Sequence, residues 1–174
     1  MDLDMFVKMT PSEATSFLHN FLEAGAESAS SLGIGDGITI DELPELLKRI
    51  SKQITVVPRP PDPEVPAFIR DTEEYKAGLF DFTPESKRFI VGAAFAFGHA
   101  FVSTFSFLGW RTGDAKYASG QMPVVAGFPD GQELPALLVV RNLFSRHVRD
   151  PNSDGGFDKA VATWRQQALD CKLL

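Results

Sequence analysis

The side chains able to do chemistry are few and scattered. His19, His99 and His147 stand far apart with no His-x-x-x-His pair, so a three-histidine metal site would need distant segments to converge. Cys171 is the single cysteine, which excludes an intrachain disulfide and a multi-cysteine zinc cage. No histidine or basic cluster stands beside it in sequence to activate a thiolate. His99 is of more interest, because it lies in an apolar run where an imidazole must find a partner or stay neutral. A satisfied core histidine is its plainer reading. Just downstream, Trp110, Arg111, Asp114, Lys116 and Tyr117 add an indole, two cations, a carboxylate and a phenol. With His99 they make a candidate ligand-binding set, provided that a pocket brings them together.

Two charged clusters are candidates for binding rather than catalysis. Asp71, Glu73 and Glu74 form an acidic, partner-facing group. Adjacent residues do not share a helix face, so Glu73 and Glu74 read as solvated charge and not as an acid–base pair. Arg141, Arg146, His147 and Arg149 form the one basic cluster, with the chemistry to receive an anion or an acidic partner. Asp150, Asp154 and Asp158 follow closely, and pairing with them is the simpler expectation.

Cofactor motifs are missing. Asp36-Gly37 followed by Asp41 and Glu42 resembles the end of a calcium loop, but the glycine falls one residue late and the early ligand positions fall in an apolar and glycine stretch. There is no Gly-rich Lys-Ser/Thr phosphate loop, no dinucleotide fingerprint and no nucleophile elbow. No cofactor and no metal are expected.

The elements that must position these residues are legible from caps and periodicity. Thr10-Pro11-Ser12-Glu13 is a capping box with proline at the first helical position, and Ala14, Phe17, Leu18, Phe21 and Leu22 continue a helix that Gly33 to Gly37 ends. Leu43, Leu47, Ile50 and Ile54 mark a second helix from Asp41, with Pro44 tolerated in its first turn. Residues 54–57 read as a short strand. Five prolines between 58 and 66 then impose an extended strap, with Phe68 and Ile69 as its expected anchors. Gly78 to Phe82 reads as a turn.

Thr83-Pro84 starts another helix, and the run from Phe89 to Trp110 carries no Asp, Glu, Lys or Arg over 22 positions. Its polar residues and its Phe/Ala bulk favour a central buried helix over a membrane span. With Gly109 as cap the helix is predicted to hold about 25 residues, about 37 Å. A stop near Val102 followed by a strand over 103–110 is the alternative. Phe89, Ala93, Phe97, Phe101 and Phe105 form a bulky ridge, and Gly92, Ala96 and Ala100 a small one. Beyond it, Trp110–Thr112, Met122–Phe128 and Glu133–Leu134 are strand candidates around a Pro129-Asp130-Gly131 turn. Helices are expected over 134–148 and from Phe157, separated by a loop over 150–156.

Composition bounds the rest. The 174 residues make one domain, with the strap at 58–66 docked along a single core. Fifteen phenylalanines against two tryptophans and two tyrosines give aromatic surface with little hydrogen-bonding capacity, which favours burial. The expected architecture is α+β, with helices packed around a long Phe-rich central helix and a small antiparallel sheet. Seventeen Lys and Arg against 23 Asp and Glu leave a net charge of −6, which argues against nucleic acid as a partner and for a basic protein. Residues 1–110 carry the surplus, with 9 basic and 16 acidic side chains. No basic leader precedes an apolar stretch, and the expected location is cytoplasmic.

The sparse chemistry inventory points to a non-enzymatic protein-binding module, such as an immunity or inhibitor protein that neutralises a basic effector. The alternative is a small-molecule binding protein or enzyme with a pocket near His99 and Trp110. A homo-oligomer, with surplus phenylalanine at a subunit interface, is a third expectation.

Overall fold

The computed structural model describes residues 6, 8–114, 120–153 and 155–171. It is an α+β fold. Helix α1 (Pro11–Ser31) begins at the anticipated capping box, where Thr10 Oγ1 accepts from the Glu13 N–H and Glu13 Oε2 accepts from the Thr10 N–H at 2.7 Å. A 3₁₀ turn over Ile40–Glu42 carries a second such box, between Thr39 and Glu42, and leads into α2 (Leu43–Ser51).

Strand β1 (Val56–Pro58) pairs antiparallel with β2 (Phe80–Phe82), and the strap and two short helices, α3 (Ala67–Arg70) and α4 (Glu73–Ala77), lie between them. The turn expected at Gly78 to Phe82 is therefore largely a strand, because residues 80–82 find a partner 24 positions upstream that local patterning does not reveal. Phe68 and Ile69 do not anchor the strap, being 77% and 40% exposed. It is tied instead by the Asp62 N–H, which donates to the Tyr75 hydroxyl at 3.0 Å.

Helix α5 (Pro84–Thr104) is the centre of the molecule. Ala93, Phe97, Ala100 and Phe101 are wholly buried, and α1 and α6 (Ala136–Arg149) pack on it. The small ridge lets α1 approach: a Cβ at Gly92 would come 2.9 Å from the backbone of Ser28 and Ala29. The helix ends at Thr104, short of the predicted Leu108, and Phe105 is already extended. Phe105 and Leu108 are nevertheless buried, so the apolar run continues past the helix because the chain stays in the core.

Strands β3 (Gly109–Thr112), β4 (Pro123–Ala126) and β5 (Glu133–Leu134) form an antiparallel sheet in sequence order, as the strand candidates implied. The turn at Pro129 to Gly131 places Asp130 at φ 55°, where aspartate is tolerated better than most residues. Helix α7 (Phe157–Asp170) closes the fold against α2. No helix of the described residues is long and apolar enough to cross a membrane.

Candidate functional site

Helix α6 is amphipathic for a reason visible in its spacing. Leu137, Val140 and Phe144 are wholly buried, while Arg141, Asn142, Ser145, Arg146 and Arg149 recur at three- and four-residue steps on the other face. That polar face borders a cavity of about 350 Å³, whose remaining walls are Arg59, Gly78, Phe80, Asp81 and Phe82. Arg59 reaches the same space because the β1–β2 ladder runs on past the strands, its N–H donating to the Leu79 carbonyl at 3.0 Å. Four arginines, 59, 141, 146 and 149, thus face one aspartate, Asp81.

None of these guanidinium groups is held by a carboxylate among the described residues. The pairing expected with Asp150 and Asp158 does not form: Asp158 takes Lys48 Nζ at 3.0 Å, and Asp150 Oδ1 accepts from the Asn152 N–H. Asp154 lies outside the described residues. The reason is the helix's own geometry, since Asp158 follows α6 on a separate helix that faces α2. Arg146 and Arg149 also sit in the last turn of α6, where the negative end of the helix favours a cation. That interaction leaves guanidinium N–H donors open to a ligand.

The groove is longer than the cavity. Past Arg149 it continues over Tyr75, Thr72, Ile69 and Leu79. At the Arg141 end it reaches Lys87 beside Asp81 and Phe82. A Cβ at Gly78 would come 3.1 Å from Arg149 Nη2, so the absent side chain makes room for this guanidinium against the strand. Planar guanidinium groups in such an array bind carboxylate or phosphate oxygens with paired, charge-assisted hydrogen bonds.

The other candidates are placed differently. His99 stacks on Phe95 at 5.2 Å, with its Nε2 3.3 Å from Ser103 Oγ. Trp110 lies parallel to Phe95 at 6.5 Å and fills the space over Gly98. Phe95 therefore links the two rings. Arg111, next along β3, is committed elsewhere: its Nη2 donates at 2.8 Å to Glu133, a carboxylate only 3% exposed that also accepts from the Asp114 N–H. Lys116 and Tyr117 lie outside the described residues. None of the grooves above is lined by His99, Trp110, Arg111 or Asp114.

Asp71 is exposed, and Glu73 holds Lys76 Nζ at 3.1 Å; the Glu74 side chain lies outside the description. A wider surface hollow between α2 and the Gly33–Ile38 loop has acidic walls, but Asp41 is paired with Arg165 and Glu45 with Lys48. Among the described residues no group of three His, Cys, Asp or Glu side chains is placed to hold a metal ion. Comparison with family models, curated proteins and solved structures finds no match for this chain.

Proposed function

We propose that this chain is a non-enzymatic protein-binding module that takes an acidic group of its partner into the arginine groove. The observation that carries this reading is four arginines converging on one cavity, without carboxylate partners among the described residues, in a protein whose net charge is −6. A chain with surplus carboxylates has ready partners for its cations. Four guanidiniums left without them on one cavity are a preorganised receptor for an external anion.

The expectation of a basic effector bound by Asp71, Glu73 and Glu74 rests on net charge. Net charge steers association, whereas clustered, oriented donors determine what is held. The groove therefore favours a partner of opposite sign to the one that net charge suggests. A capped, fluorescein-labelled peptide rich in glutamate tests this, against a lysine-rich control, at low and high salt. The acidic peptide is expected to bind and the lysine peptide is not. Arg141→Gln and Arg149→Gln should each weaken binding about tenfold, roughly 1.4 kcal/mol per lost charge-assisted pair. Binding of the lysine peptide, lost on neutralising Asp71 and Glu73, would instead support the inhibitor reading.

A further inference from the structure

The shape of the groove says how an acidic segment would lie in it. Phe80, Asp81 and Phe82, three successive residues of β2, all line the cavity, whereas the β1 side contributes only Arg59, one residue past that strand. A cavity over the face of a sheet touches alternate residues; one that touches consecutive residues lies along the edge. Among the described residues strand β2 has a neighbouring strand on one side only, so this is its open edge.

The hydrogen-bond parity agrees. The Thr83 N–H donates to the Thr55 carbonyl and the Arg59 N–H to the Leu79 carbonyl, which makes 55–83 and 59–79 bonded pairs. In an antiparallel ladder every second pair is bonded, so Asp81 bonds to Val57 and the Phe80 carbonyl and Phe82 N–H are directed to the open edge. Helix α6 runs along that edge in the opposite direction, with Arg149 against Gly78 at one end and Arg141 beside Asp81 and Phe82 at the other. Eight residues of helix from Arg141 to Arg149 rise about 12 Å, close to the about 13 Å that four residues of an added extended strand would span. A strand laid along the groove therefore stays in step with the helix.

Resting on the reading above, we propose that the groove binds an extended acidic peptide as an added strand on β2. Main-chain hydrogen bonds to Phe80 and Phe82 would supply affinity, and Arg141 and Arg149 would read carboxylates four positions apart. Strand addition is a mode in which backbone pairing binds and side-chain pockets specify. Charge complementarity selects the occupant, since the walls offer four arginines against one aspartate.

The probe is a capped, labelled pentapeptide with glutamate at its first and fifth positions, serine at the third and threonine between. Two forms are N-methylated, one at the even-numbered amides and one at the odd. Both keep every charge. One form should lose about tenfold or more in affinity and the other little, because successive amides of a strand face opposite edges. Equal loss in both forms, or loss in neither, would overturn strand addition while leaving an arginine-dependent site intact. Full displacement by inorganic phosphate at the peptide's own concentration would also overturn it, marking a small-anion site. Failure of the unmethylated peptide to bind, or binding that Arg141→Gln and Arg149→Gln leave unchanged, would sink the underlying reading as well.

Discussion

Single residues at close contacts decide how tightly this core is built. Gly98 is the clearest case, since a Cβ there would lie 2.3 Å from the Trp110 indole and 3.0 Å from Val125. Gly98→Ala gains about 1 kcal/mol of helix propensity but forces overpacking that costs about 1–3 kcal/mol, so the variant should be less stable. Urea unfolding checks the sign, and Trp110 fluorescence should change with it. Cys171 makes a second prediction. Burial pushes its thiol above the ordinary value, and its Sγ donates to the Gln167 carbonyl at 3.5 Å. Alkylation by iodoacetamide near neutral pH should be slower than for a free thiol, and should accelerate only in more alkaline solution. Neither contact is legible in sequence: Gly98 looks like any helix-weakening glycine until the tryptophan is seen to lie over it.

The helices begin where local chemistry requires and end where tertiary packing permits. Both capping boxes formed because a threonine and a glutamate three residues on satisfy each other's backbone and side chain with no help from distant residues. The hydrogen bond from the Thr10 N–H holds the Glu13 carboxyl below the usual carboxylate range, and the Thr39 hydroxyl does the same for Glu42. A depressed folded value means that each cap's contribution is complete above the ordinary glutamate pKa and is lost as pH falls through the lowered one. Glu13→Gln should therefore lower the urea midpoint at neutral pH, and the gap between variant and parent should close in strong acid. The end of α5 shows the contrast. Its apolar run extends past Thr104, yet the chain turns there so that β3 can pair with β4 along Trp110↔Val125. The sequence pattern records burial, and burial is shared by helix and strand.

At the scale of the whole molecule two electrostatic levels oppose one another. A net charge of −6 would repel an acidic partner at long range, while the proposed arginine groove would attract it on contact. The Debye length is about 10 Å at ordinary ionic strength, so the long-range field is largely screened and the contact charges less so. Stopped-flow binding of the glutamate peptide should show association and dissociation rates that both change little with salt, unlike an electrostatically steered pair. The α+β class, the Phe-rich central helix, the antiparallel sheet over residues 109–134 and the four long helices were all determined by the sequence, because caps, periodicity and turn residues act over a few positions. The basic cluster on α6 was equally visible, and the eight-residue step from Arg141 to Arg149, about two helical turns, put those two arginines on one side of the helix. Only the tertiary structure decided that these arginines meet Arg59 and the open edge of β2, and that Asp158 is turned away to Lys48. Pairing between β1 and β2 joins residues more than twenty positions apart, and no local pattern encodes which distant charge or strand a helix face will meet.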